Sequence, residues 1–289
     1  MKGLIPAAGL GIRFLPVTKS IPKEMLPLID KPTIQYVVEE AVESGITDIL
    51  IVTGRGKHAI EDYFDTAYEL ESSLRQKGKF DLLEKIEKIS NLADIQYIRQ
   101  KKPLGLGHAI LCAKKHIGDE PFAVFLGDVI VFSEKPCIKQ LMEKYEKYQS
   151  STIAVERIEP SYIESSGVIK PGQPVEKNLY PIEDLVEKPK RSEAPSDLGI
   201  FGRYVLTPEI FNCIEETKPG YGGEIQLTDA LKLLRRKQDL FGYEFYGKSH
   251  DLGNKMDWLK TTFDVALSQE EFRDELLSFI KKRIKASGE

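Results

Sequence analysis

Cysteine is scarce in this chain: Cys112, Cys137 and Cys213 are the only three among 289 residues. Their odd number and wide spacing exclude a disulfide framework and a Cys-rich zinc site, and they suit a reducing compartment. Histidine is nearly as rare, with four, and His250 stands without a partner at metal-ligand spacing, so it reads as structural. Positive charge is not in excess. Lys and Arg number 41 against 45 Asp and Glu, a net charge of −4, which offers no handle to nucleic acid or an anionic membrane. No apolar run is long enough to span a bilayer, and an apolar strand begins so near Met1 that a signal peptide has no room. The expected location is the cytoplasm. Internal repeats and low-complexity tracts are missing too.

What is present is the composition of a soluble globular protein, 41% hydrophobic and 30% charged, with length to spare for a substantial core. Short apolar runs alternate with helical periodicity. Gly3-Leu4-Ile5, Asp48 to Thr53, Ile95 to Ile98 and Phe122 to Leu126 read as strands; Thr33 to Ser44, Lys57 to Phe64, Phe80 to Ser90 and Leu106 to His116 read as helices. That alternation predicts an α/β fold, a Rossmann-like, doubly wound and mostly parallel sheet with helices on both faces. In such sheets ligands sit outside the carboxyl ends of the strands. The loops at 7–13, 100–107 and 127–128 are thereby placed along one edge. Residues 158–203 are poorer in helix and predict a small β-rich lobe beside the sheet. A last amphipathic helix is expected from Gln269 to Lys285, with Phe272, Leu276, Phe279, Ile280 and Ile284 on one stripe.

The segment from Lys2 to Pro32 concentrates the chemistry. After the first strand come Gly9 and Gly11, whose backbone N–H groups can approach a bulky anion unhindered. Arg13 adds a fork of donors suited to phosphate oxygens, and Lys23 a second cation. The loop is neither a Walker A motif nor a dinucleotide fingerprint, because Phe14 stands where a third glycine belongs. A tight turn with a surface arginine is the bland alternative. Against it, Pro16, Pro22, Pro27 and Pro32 pin a half-apolar loop that a mere linker does not need. Asp128, at the carboxyl end of a strand on the same edge, is a hard oxygen ligand that could hold Mg²⁺ against a phosphate, although an aspartate there is more often a cap. Asp251 is a second carboxylate, in a glycine-containing turn. Gln100 can pair with a base edge through one donor and one acceptor. His108, at the start of a helix, reads as packing or capping.

The stretch GLGIRFLPVTKSIPKEMLPLIDKPTIQYVV resembles the N-terminal signature of the sugar-1-phosphate nucleotidylyltransferases. Its PKEMLP wording is closest to the family's bacterial UTP-dependent, glucose-1-phosphate branch. The likeness runs in order from Gly3 to about Lys255, with Ile12 in place of a usual threonine and Ser166 in place of a tyrosine. It implies an enzyme using UTP and glucose 1-phosphate with Mg²⁺, working as a homo-oligomer, dimer or tetramer. Residue by residue it carries Ala8, Gly9, Glu24, Gln100 and Gly105 onto the uracil. Arg13 and the Gly9–Gly11 backbone go to the β and γ phosphates, and Lys23 to the α-phosphate. Asp128 becomes the metal ligand, with Asp251 as a second acidic position. Gly167 and Glu187 fall in the sugar pocket, and Lys188 on the sugar phosphate. Thr228 and Asp229 fall on the pocket floor.

The organisation that follows is one domain over 1–289: a nucleotide-binding half at 1–157, the sugar lobe at 158–203, the rest of the core at 204–268 and the terminal helix at 269–289. Three rival readings exist. A thymidylyltransferase using dTTP differs only in the base. A non-catalytic nucleotide-sugar-binding module predicts a missing aspartate or cation, yet Arg13, Lys23, Asp128 and Lys188 are all there. An NAD-dependent dehydrogenase fails on Phe14 and on the lack of a matching acidic residue after the second strand.

Overall fold

The run KGLIPA forms strand β1 (Lys2–Ala7), whose residues from Gly3 to Ala7 are buried almost throughout. The structure, a computed structural model, describes residues 1–286. A two-strand ribbon, β2 (Pro27–Leu28) with β3 (Lys31–Pro32), leads into α1 (Thr33–Glu43) and β4 (Asp48–Thr53). Then come α2 (His58–Phe64), α3 (Tyr68–Gln76), α4 (Phe80–Ser90), β5 (Asp94–Arg99), α5 (Leu106–Leu111) and α6 (Lys114–Ile117). They are followed by β6 (Phe122–Phe125), β7 (Val129–Phe132), α7 (Cys137–Tyr148) and β8 (Ser151–Arg157). The remainder is β9 (Gly167–Pro171), β10 (Leu179–Glu187), β11 (Leu198–Leu206), α8 (Glu209–Glu216), α9 (Leu227–Lys237), β12 (Leu240–Glu244), β13 (Lys248–Asp251), α10 (Lys255–Ser268) and α11 (Glu270–Ala286).

Nine strands make one sheet in the order β5-β4-β1-β6-β11-β8-β12-β10-β9. The expected α/β class holds, and β5, β4, β1 and β6 run parallel as the alternation predicts. Beyond β6 the sheet is mixed: β11 is antiparallel to both β6 and β8, and β10 to both β12 and β9. The reason is connectivity. From β8 to β11 no α-helix crosses over, and loop-joined strands are free to pair antiparallel. Residues 158–203 are β-rich as expected, and their strands β9 and β10 pair onward from β12 at the end of the sheet. One further pair, Gly199 with Val168, links β9 to β11 and closes β11, β8, β12, β10 and β9 into a ring.

Period-two alternation sends successive residues to opposite faces. Leu4, Leu50, Phe122 and Val124 join one core with residues of α5, α6, α8 and α9; Ile5, Ile49, Ile51 and Phe125 join another with α1, α2 and α7. Helices thus cover both faces. The expected helix from Leu106 to His116 is split, because the bonds tighten to a three-residue reach at Ala113, which donates to Ile110 O. Helix α11 packs along α10, has no buried residue, and leaves Phe279 and Ile284 exposed. The last three residues of the segment expected at 269–289 lie outside the described residues. Among the described residues, no helix is long and apolar enough to cross a membrane.

One polar group is set inside this core. Arg203 on β11 is 0% exposed and donates from Nη2 and Nε to Glu40 Oε2 of α1, at 2.8 and 3.0 Å. It also donates to the carbonyls of Leu126, Val129 and Gly202. Glu40 uses its other oxygen to accept from the Ile138 N–H, 3.0 Å away at the head of α7. A buried charge is tolerable only when every polar atom is answered in this way. Two of the carbonyls bracket the Gly127-Asp128 turn.

Candidate functional site

The carboxyl ends of β1, β4, β5 and β6 converge on the edge expected from the alternation. Gly11, with φ of 65°, occupies the left-handed region that glycine adopts at little cost, and Thr18 locks it by donating to its carbonyl at 2.8 Å. The chain then turns back through Pro22 and delivers Lys23 against Gly9, its Nζ 3.8 Å from where a Gly9 side chain would begin.

Lys23 Nζ donates to Asp128 Oδ2 at 2.5 Å. Burial opposes the lysine's charge, but Asp128, Glu24 and Asp251 outweigh it and hold its pKa above the ordinary value. Burial likewise works against ionising Asp128, and Lys23 and Arg13 reverse it, so that carboxyl is held below its usual range. Asp251 ends β13, opposite Val129 of β7, and Leu252 N–H donates to Asp128 O at 2.9 Å. Burial and the neighbouring Asp128 charge push the Asp251 carboxyl up. Arg13 reaches across 240 positions of sequence to donate to Gly253 O at 3.3 Å.

Glu24 lies deeper than Lys23. It is 0% exposed and accepts from Lys57 Nζ at 2.7 Å, a lysine that is itself 6% exposed. Its second oxygen, Oε1, is buried without a hydrogen bond among the described residues. Burial pushes the Glu24 carboxyl up against the pull of Lys23 and Lys57. Lys57, Glu24, Lys23, Asp128, Arg13 and Asp251 thus alternate in sign.

A second group lies where β9 begins and β10 ends. Glu187 Oε2 accepts from Thr228 Oγ1 at 2.6 Å, and its other oxygen lies 3.2 Å from Lys188 Nζ. A side chain at Gly167 would begin 2.9 Å from that Thr228 hydroxyl and 3.2 Å from Glu187. Lys188 also lies over the Tyr221 ring, 4.8 Å from its centre. The third group is Gln100, Gly105 and His108. Gly105 has φ of 102°, and a Cβ there would lie 2.7 Å from Glu224 and 2.8 Å from Ile225 O, so only glycine fits. The segment from Tyr221 to Thr228 touches both groups, whereas Gln100 N–H bonds to Thr53 O beside the first.

Among the described residues no three His, Cys, Asp or Glu side chains have metal-holding geometry. Asp128 and Asp251 are nonetheless two neighbouring carboxylates, one driving up the pKa of the other. Mg²⁺ suits such a site, since it is commonly held by one or two carboxylates with waters and substrate phosphates completing the octahedron.

A family model described as nucleotidyl transferase matches residues 2–267. The chain belongs to that family. This nucleotidyl transferase is 56% identical over 280 residues to the UTP–glucose-1-phosphate uridylyltransferase of Bacillus subtilis (strain 168), covering 97% of this chain and 96% of that one. A second such uridylyltransferase, from Staphylococcus saprophyticus, is 54% identical, with 97% of both chains covered. Among solved structures, a UDP-glucose pyrophosphorylase complexed with UDP-glucose superposes with a TM-score of 0.86 at 44% identity, over 93% of this chain and 99% of that one. A putative glucose-1-phosphate thymidylyltransferase from Bacillus anthracis is more distant, at 0.70 and 25%, over 95% and 96% of the two chains.

Lys57, Arg203 and the bonded state of His108 escape a reading of the transferase's sequence. Each is one residue of ordinary type whose partner sits on another element. Replacing Lys57 with methionine keeps the volume but strands the Glu24 charge in the core. Breaking one side of a buried pair costs about 3–5 kcal/mol. Lys57→Met should therefore lower unfolding stability by about that much in a denaturant titration, and Glu24→Gln in the same background should recover part of it.

Proposed function

We propose that the protein joins UTP and glucose 1-phosphate into UDP-glucose and pyrophosphate. The observation that carries this reading is the half-buried Lys23–Asp128 pair at the strand ends, with Asp251 and Arg13 beside it, in a chain 56% identical to a protein of that name. A sugar 1-phosphate is mostly dianionic at neutral pH, its second pKa being about 6, so its oxygen needs no general base. That oxygen forms a bond to the α-phosphorus of UTP, the bond from that phosphorus to its bridging oxygen breaks, and pyrophosphate leaves with the electron pair. The obstacle is repulsion between two polyanions, and the chain's task is charge and alignment.

In this reading Arg13 and the Gly9–Gly11 backbone hold the β and γ phosphates, while Lys23 exchanges Asp128 for the α-phosphate. Mg²⁺, when bound, would be held by Asp128 and Asp251 and would neutralise phosphate charge. Lys188 takes the sugar phosphate, and Glu187, fixed by Thr228, takes sugar hydroxyls beside Gly167. Ala8, Gln100 and Gly105 face the base. Glu24 is assigned to anchoring Lys57 beneath Lys23, because a side chain with no exposed surface offers a base little to touch. A homo-oligomer in the cytoplasm completes the proposal.

The test is a matrix of UTP, dTTP and CTP against glucose 1-phosphate and other sugar phosphates, with and without Mg²⁺, reading pyrophosphate release. UTP with glucose 1-phosphate and Mg²⁺ should be fastest. Faster turnover with dTTP hands the protein to the thymidylyltransferases, and no release under any condition leaves a binding module. Within the same assay, Lys188→Ala should raise the KM for glucose 1-phosphate about ten- to a hundredfold, the scale of a charged hydrogen bond. The KM for UTP should stay within about twofold, as expected for removal of a group that touches only the other substrate.

A further inference from the structure

Gln100 follows β5 and is 6% exposed. Its side-chain Nε2 lies 3.2 Å from Gly105 O and 2.9 Å from His108 Nδ1. A carbonyl oxygen only accepts, so the amide end facing Gly105 is the NH₂. Its second hydrogen then goes to His108 Nδ1, which must carry a lone pair, and the ring hydrogen of the neutral imidazole sits on Nε2. The Cys112 thiol, 3.9 Å from the same Nδ1, is at most a weak rival donor. Both amide hydrogens are therefore spent inside the protein. Oε1 has no hydrogen bond among the described residues and is not one of the sealed, unanswered atoms of the core. Gln100 presents an acceptor and nothing else.

We propose that His108 is a positioning residue for base choice. Its Nδ1 holds the Gln100 amide so that Oε1 meets the base, and the site selects pyrimidines whose N3 carries a hydrogen, uracil and thymine, over cytosine, whose N3 is itself an acceptor. The inference rests on the reading of this loop as the base site. Without His108 the amide is oriented by the longer bond to Gly105 alone. A flipped amide would offer its NH₂ to cytosine N3.

Replacing His108 with phenylalanine keeps a ring of similar bulk and deletes the acceptor; asparagine places an amide oxygen near the lost Nδ1. For wild type and both variants, kcat/KM with glucose 1-phosphate and calorimetric Kd are measured for UTP and CTP. His108→Phe should lower the UTP-over-CTP preference about fivefold, the weight of one neutral hydrogen bond. His108→Asn should restore it to within about twofold. An unchanged preference in His108→Phe, or an equal fall in both variants, overturns the proposal. Gln100→Leu separates the two levels. If it leaves the preference intact, the base does not sit at Gln100 and the site reading fails with the inference; if it abolishes the preference while His108→Phe does not, only the role of His108 falls.

Discussion

Lys23→Ala should lower kcat with UTP and glucose 1-phosphate by about a hundredfold or more, the scale of removing one preorganised donor from a transition state. The argument is electrostatic. Lys23 lies against Gly9 and keeps its proton because three carboxylates surround it. It is thus a fixed positive charge in a half-buried place, where charge acts more strongly on phosphates than in open water. Deleting it has a second effect, since Asp128 then faces Asp251 with only Arg13 left nearby. Lys23→Met, assayed across a Mg²⁺ titration, separates the two: a transition-state role leaves kcat low at saturating metal, whereas mere carboxylate repulsion is relieved by it. Rates within about threefold of wild type would remove Lys23 from the mechanism, because an oxyanion-type donor costs far more.

Arg203→Leu should cost about 3–5 kcal/mol of unfolding free energy, the usual consequence of leaving one charge of a buried pair alone. Glu40 is only 7% exposed and loses both bonds from the guanidinium, and the carbonyls of Leu126, Val129 and Gly202 lose the bonds it donates, though Gly202 O and Leu126 O keep backbone donors. The double variant Arg203→Leu, Glu40→Leu should recover part of the loss, since removing both members of a buried pair is often neutral. Denaturant melts of the two proteins check this. A loss under about 1 kcal/mol for the single variant would mean that water reaches Glu40, against the burial of both side chains in the folded protein. The single variant should also bind Mg²⁺ more weakly at a temperature where it remains folded, because Arg203 grips the backbone on either side of Asp128.

Much of this was legible because the relevant information is local. The strands from β1 to β6 are short apolar runs bounded by turn residues, and a period-two pattern needs only a few residues to declare itself. The glycines and cations of the loop from Gly9 to Lys23 point to a phosphate by residue type, a signal that a tight turn with a surface arginine shares. The ring closed by Gly199 and Val168 was not legible, since it depends on a register shift in β11 between Ile200 and Tyr204. Nor were the pairs that hold the site: Lys57 meets Glu24 across 33 positions, and Arg203 meets Glu40 across 163. Gln100 and His108 are only eight apart. Their contact still requires the turn at Gly105, whose backbone conformation no propensity specifies.

The bond from Arg13 to Gly253 also has a consequence for the protein's birth. The first of these residues emerges from the ribosome 240 codons before the second. At roughly 5–20 residues per second the wait is on the order of tens of seconds. Throughout it the glycine-bearing turn lacks Asp251 and the Gly253 carbonyl, whereas Lys23 has Glu24 beside it from the start and gains Asp128 after 105 residues.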